Sequence, residues 1–301
     1  MSGRTSAADG LAVFDRLTVR YGKRTAVEEV SLSVERGRVY ALLGRNGSGK
    51  TSMIRCLLGQ WRADSGSARL FGEDAWAARD RAMARVGVVP EEPDAPPQRT
   101  AAELAAFCAR LYPSWDGKGV ATRLERFGVP AGVPFQRLSK GQKGQLALSL
   151  ALGPLPELLV LDDPTLGLDV VARKELLEEL VAELADRGTT VFLTTHDLSG
   201  VEGIADHVGI LKEGRLIADE PLEELKARFR RLRWDGEAAP GAAAAQAARS
   251  LGAVETSRDA LGSETVVAHF GAGPAPDGAQ VLPMSLEEIF IALAGEEGGQ
   301  P

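Results

Sequence analysis

Cysteine is scarce. Cys56 and Cys108 are the two in 301 residues, far apart and without metal-ligand spacing. That excludes a disulfide framework and fits a reducing compartment. Long apolar runs are missing too. The longest apolar region, Leu146 to Leu161, is broken by Pro154 and Pro156 and is too short to span a bilayer. Met1 to Gly10 is polar and small, lacks the apolar stretch of a signal peptide, and reads as a disordered tail. Positive charge is not in excess: 35 Lys and Arg stand against 42 Asp and Glu, a formal net charge of −7. Broad attraction to nucleic acid is therefore not expected. A short basic cluster, Arg228 to Arg233, reads first as a solvated helix end and second as a contact for anionic lipid. No internal repeat is visible. With 44% apolar and 26% charged residues, the chain has the composition of a soluble globular protein.

The chemistry concentrates in Gly44-Arg45-Asn46-Gly47-Ser48-Gly49-Lys50-Thr51, a G-x-x-x-x-G-K-T loop. The apolar run Val39 to Leu43 precedes it and suits a buried strand. A helical pattern from Ser52 to Leu58 follows. Strand, glycine loop and helix is the context in which such a loop cradles phosphate. Its glycines let backbone N–H groups approach the anion, and the helix start adds unpaired donors and the positive dipole end. Lys50 would reach the outer phosphates, and the Thr51 hydroxyl would ligate Mg²⁺.

Strands are expected over Leu11 to Tyr21, Val27 to Val34, Ala68 to Gly72 and Val86 to Val89, where Pro90 stops the last. The region of about 93 to 138 reads as helical, with helices over Thr100 to Leu111 and Gly119 to Phe127. Thr100 and Glu103 form a capping box. A helix from Leu146, a buried strand Leu158 to Leu161, an amphipathic helix Val170 to Ala185 and a strand Thr189 to Thr194 follow. Val208 to Leu211 and Arg215 to Ala218 read as a hairpin around Glu213-Gly214. Pro221 opens a helix expected to reach Arg233. Gly236 to Arg249 is rich in Ala, Gly and Pro and reads as linker. A strand over Glu264 to Phe270, a loop over Gly271 to Gly278 and a helix over Ser285 to Ala294, boxed by Ser285 and Glu288, complete the chain.

The strand ending in Asp162-Asp163-Pro164 supplies a second acidic site. Asp162 would hold Mg²⁺ opposite Thr51. Asp163, pointing the other way, would orient an attacking water and take its proton. His196 ends another strand, at the carboxyl edge where open α/β sheets bind ligands, and reads as a γ-phosphate contact. His207 and His269 read as structural. Tyr21 either stacks on adenine or is an ordinary core or edge aromatic; spacing leaves the two level.

Leu138-Ser139-Lys140-Gly141-Gln142 adds a serine-glycine-glutamine helix start. In this order, the motifs resemble those of the ATP-binding subunit of ATP-binding cassette (ABC) transporters, over about residues 11 to 230. The resemblance implies a P-loop NTPase core of α/β class, with an antiparallel β subdomain and an inserted helical subdomain. A 231–250 linker and a small α+β appendage at 251–301 would follow. It implies ATP and Mg²⁺, with Ser52 beside the phosphates. It also implies a head-to-tail pair of identical subunits, in which Ser139, Gly141 and Gln142 of one cap the nucleotide on the phosphate loop of the other. Gly167-Leu168-Asp169 matches the loop joining the two sites, Tyr21 the adenine-stacking position, and His196 the γ-phosphate switch.

Three residues depart from the family pattern. Lys140 stands where glycine is usual, as in subfamilies resembling drug or peptide exporters. Glu91 replaces a glutamine that touches Mg²⁺ and couples to the helical insert. Asp163 replaces the usual glutamate base and withdraws the carboxylate by about 1.5 Å. Val89 to Pro93 and the tail Pro283 to Phe290 resemble the export branch whose permease is of ABC-2 type. The function so implied is an ATPase at the inner face of the cell membrane, powering export through a separate permease. The alternatives are a soluble ABC-type ATPase without a transport role and an ATP-binding module with little turnover.

Overall fold

The computed structural model describes residues 10–165, 168–198, 200–234, 255–258, 264–269 and 278–295. They fall into two compact units divided between Asp219 and Glu220. Most of the expected tail, Gly167 and most of the expected linker lie outside the described residues.

The first unit holds two sheets. β1 (Ala12–Tyr21), β2 (Arg24–Val34), β4 (Ser65–Leu70) and β5 (Glu73–Asp74) form an antiparallel sheet in the order β2-β1-β4-β5. The other sheet contains β3 (Val39–Leu43), β6 (Val86–Val89), β7 (Leu158–Asp162), β8 (Thr190–Thr195), β9 (His207–Lys212) and β10 (Arg215–Pro221). Its order is β10-β9-β3-β8-β7-β6, and the four pairings from β9 to β6 are parallel. Every residue of β3, β7 and β8 is buried. That explains why β3 and the first four residues of β7 read as apolar runs: a central parallel sheet is buried on both faces.

One helix, α1 (Lys50–Leu57), joins the two sheets into a single core. Met53 and Leu57 are fully buried between them, each worth about 1.5–3 kcal/mol of apolar transfer. Phe192 on β8 receives Phe14 of the antiparallel sheet at 6.1 Å and Tyr40 of β3 at 5.7 Å. The phosphate loop is thus anchored at both ends in the same core.

Among the described residues this unit also carries α2 (Arg79–Met83), α3 (Ala101–Ala109), α4 (Gly117–Arg126), α5 (Lys140–Leu152) and α6 (Val170–Arg187). The region 93–138 carries α3 and α4 and no named strand, and the Thr100–Glu103 capping box is formed. Between α4 and α6 lies a buried ion cluster. Arg123 donates to Glu179 at 2.6 Å and Glu183 at 3.0 Å, with Arg126 also on Glu179.

The second unit comprises α7 (Leu222–Arg228), β11 (Phe229–Trp234), β12 (Glu255–Arg258), β13 (Glu264–His269), β14 (Gln280–Leu282) and α8 (Leu286–Ala294). Its antiparallel sheet runs β12-β13-β11-β14. Here three expectations change. The division lies at 219/220, not 230/231. The expected linker begins inside a strand. The helix opened by Pro221 stops at Arg228, and the basic cluster is strand from Phe229 on. The reason is long-range pairing. Residues Phe229 to Trp234 pair one for one with His269 to Glu264, and Phe229, Leu232 and Trp234 become buried. A basic local sequence carries no sign of a partner strand 30 to 40 residues away. Two of the arginines hold carboxylates: Arg228 pairs with Glu220, and Arg231 with Glu288 at 3.0 Å. Ser285 and Glu288 cap α8 as expected.

Candidate functional site

The phosphate loop leaves β3 at the carboxyl edge of the parallel sheet, flanked by the ends of β8 and β9. Such an edge is where open α/β sheets take ligands. Gly44 N donates to Thr195 O at 3.2 Å, and Gly214 N to Ser48 O at 3.0 Å. Two positions demand glycine. A side chain at Gly44 would sit 2.4 Å from Ser48 Oγ and 2.7 Å from Leu211 O. Gly49 has φ +113°, and a Cβ there would meet Ala26 O at 2.4 Å. Gly49 also begins α1 with no side-chain cap, and no acid stands in the first turn. The helix start therefore presents unpaired N–H groups and an uncompensated positive dipole end.

Lys50 is buried and turns back on the loop. Its Nζ donates to Gly44 O at 2.7 Å and Arg45 O at 3.4 Å. Burial lowers its pKa below the ordinary lysine value; Asp163, Asp162 and Glu91 push the other way. The two adjacent aspartates, both buried, take different partners. Asp162 Oδ1 accepts from Thr194 Oγ1 at 2.7 Å and from Thr51 Oγ1 at 3.4 Å. Asp163, with φ +48°, accepts from Thr195 Oγ1 at 3.1 Å through Oδ1 and meets His196 Nδ1 through Oδ2.

A cleft of about 410 Å³ lies over these groups. Tyr21, Asn46, Gly47, Gly49, Lys50, Thr51, Ser52, Glu91, Asp162 and Asp163 all line it. Gly44, Arg45 and Ser48 lie in the loop beneath, and His196 joins through Asp163. Tyr21 is 38% exposed, tilted against Trp61 at a centroid distance of 5.3 Å, with its hydroxyl 3.3 Å from Ser52 Oγ. A ring so held presents a face to solvent beside the loop. Arg24 and Ala26 line the same cleft, and the sequence reading missed them. Arg24 pairs with Tyr21 across the Gly22-Lys23 turn; a two-residue turn after the aromatic was the signal. Thr194 and Thr195 were missed as carboxylate partners, because β7 and β8 are neighbours only once the sheet forms.

Ser139, Gly141 and Gln142 do not line this cleft. Ser139 caps α5: its Oγ accepts from Gln142 N at 3.1 Å, and Gln142 Oε1 accepts from Ser139 N at 3.1 Å. A capping serine uses a lone pair, so its hydroxyl hydrogen stays available to an anion. Leu168 is buried, and Asp169 Oδ1 caps α6 through Ala172 N at 2.8 Å. His207 is structural: it stacks on Tyr40 at 5.0 Å and meets Asp219 at 2.8 Å. The side chain of His269 lies outside the described residues.

A family model for ABC transporters matches residues 27–166. The bacitracin transport ATP-binding protein BcrA of Bacillus licheniformis is 35% identical over 217 residues, 71% of this chain and 71% of its own length. This chain belongs to the ABC transporter family. A Nod factor export ATP-binding protein I, from Ralstonia nicotianae, is 37% identical over 218 residues, covering 69% of this chain and 66% of that protein. Among solved structures, a bacterial ABC transporter cassette in dimeric form matches with TM-score 0.64 at 22% identity, over 70% of this chain and 98% of that one. As an ABC cassette, the chain is an ATPase on a P-loop NTPase core, and ATP is its nucleotide. Among the described residues, no helix is long and apolar enough to cross a membrane.

Proposed function

We propose that this cassette powers export through a separate membrane permease of ABC-2 type, docked at the cytoplasmic face of the cell membrane. The names of its relatives support this reading: one is a bacitracin transport ATP-binding protein, another a Nod factor export ATP-binding protein. Two copies would work head to tail. The dimeric form of the related cassette supports that arrangement, as does the separation of Ser139 from the phosphate loop's own cleft.

The residues present fit ATP and magnesium. Ser48 Oγ is buried without a hydrogen-bond partner, and the loop's tight backbone path leaves no room for a Cβ at Gly44 or Gly49. The donor set of Thr51, Asp162 and Glu91, all lining the cleft, is all oxygen. That suits Mg²⁺, which completes its shell with phosphate oxygens and water. When bound, the ion would neutralise charge building on the triphosphate. Lys50 and the α1 N–H groups would hold the phosphates, and Tyr21 the adenine. Ser139, Gly141 and Gln142 of the second copy would close the site. Asp163 would orient the attacking water and accept its proton, and His196 would steady Asp163 and reach the γ-phosphate.

The observation that carries this reading is the convergence of Lys50, Thr51, Asp162 and the Asp163–His196 pair on one cleft. The test is steady-state ATP turnover of the parent, Asp163→Asn and Asp163→Glu. Asp163→Asn should lose about 10²-fold or more, the scale of general-base catalysis. Asp163→Glu should turn over faster than the parent, because it returns the missing methylene. Full turnover in Asp163→Asn would remove Asp163 from the chemistry.

A further inference from the structure

We infer that Arg173 and Asp197 act as one positioning couple for the hydrolytic carboxylate; this rests on the reading of Asp163 as the base. Arg173 stands in the first turn of α6, where its N–H donates to Asp169 O at 3.0 Å. Its Nη2 lies 2.9 Å from Asp197 Oδ2, and both side chains are 24% exposed. Asp197 follows His196 directly, in the segment leaving β8.

The hydrogen bonds from that ion pair lead to Asp163 in two steps. Asp197 N donates to Thr195 Oγ1 at 2.9 Å. Thr195 Oγ1 lies 3.1 Å from Asp163 Oδ1 and 3.1 Å from Asp197 O. A hydroxyl has one hydrogen and cannot donate to both oxygens at once. Which oxygen receives it depends on where the backbone of Asp197 is held. Arg173 restrains that backbone through the Asp197 carboxylate. Thr195 and His196 then grip the two oxygens of Asp163 from the same short segment.

Neither Arg173 nor Asp197 lines the nucleotide cleft. Their loss should therefore spare ATP binding and slow the chemistry. A carboxylate displaced by a fraction of an ångström costs about 10-fold, given that a 1 Å error costs about 10². The couple has a second consequence. α6 begins just after Leu168-Asp169, the stretch resembling the family's loop between the two sites. A shift of α6 on closure would move Asp197 and reset the grip on Asp163.

The experiment is a double-mutant cycle on full-length protein, read as kcat and KM for ATP. Arg173→Ala and Asp197→Asn should each lower kcat about 10-fold with KM within about twofold of the parent, and the double variant should lose no more than either single. Arg173→Lys, which keeps the charge, should recover most of kcat. The inference is overturned if either single variant keeps kcat within about twofold of the parent. It is overturned equally if the double loses the product, about 100-fold, or if KM rises in step with the fall in kcat. Asp163→Asn run alongside separates the two ideas. If it is inactive while the Arg173 and Asp197 variants are not slowed, the couple fails and the base stands. If it turns over fully, the reading beneath the couple fails.

Discussion

At the scale of single residues, Lys50 carries the conflict that makes the cleft a phosphate site. Its ammonium is out of water, satisfied by two loop carbonyls, and flanked by three carboxylates that would repel a triphosphate without it. Burial dominates, so the free protein releases the Lys50 proton below the usual lysine range. A bound triphosphate favours the charged form. Binding must therefore take up a proton once pH rises through the free value, and affinity must fall there. ATP affinity followed from pH 7 toward pH 10 should be flat, then decline before a normal lysine would titrate. Affinity constant across that range would contradict it. Lys50→Ala should abolish measurable ATP binding, because it removes the cation and leaves the acids.

At the scale of elements, the cluster between α4 and α6 shows where a helix pair gets its register. Arg123, Glu179 and Glu183 have side chains 9%, 6% and 3% exposed. Replacing Arg123 by Ala leaves two buried carboxylates short of a partner. Removing one member of such a set costs about 3–5 kcal/mol. Arg126 and Arg187 still reach these glutamates, which puts the expected loss at about 3 kcal/mol. Chemical denaturation of Arg123→Ala against the parent would measure it, and a change below about 1 kcal/mol would show the cluster to be dispensable. None of this was readable from the helices alone. The spacing of Arg123 and Arg126, or of Glu179 and Glu183, looks the same on a solvated face. The capping boxes at Thr100 and Ser285 were readable, because their partners lie three residues away and need no tertiary contact.

At the scale of the whole molecule, a head-to-tail pair makes an arithmetical prediction. A site would combine the phosphate loop of one copy with Ser139 of the other. Lys50→Ala and Ser139→Arg should each be inactive alone. Mixed in equal amounts, they should recover about a quarter of parental turnover, because half the dimers are mixed and each mixed dimer has one intact site. A mixture as inactive as its parts would rule out sharing of sites between copies. The sequence by itself determined the phosphate loop, its flanking strand and helix, the acidic strand end and the serine-glycine-glutamine helix start. Each is a run of neighbours whose chemistry is set within a few residues. Only the tertiary structure decided that Thr194 and Thr195 hold the two aspartates, that Arg24 shares the cleft with Tyr21, and that β11 is a strand. Those outcomes depend on which segments lie side by side, and sheet pairing across many residues leaves no local trace in composition or spacing.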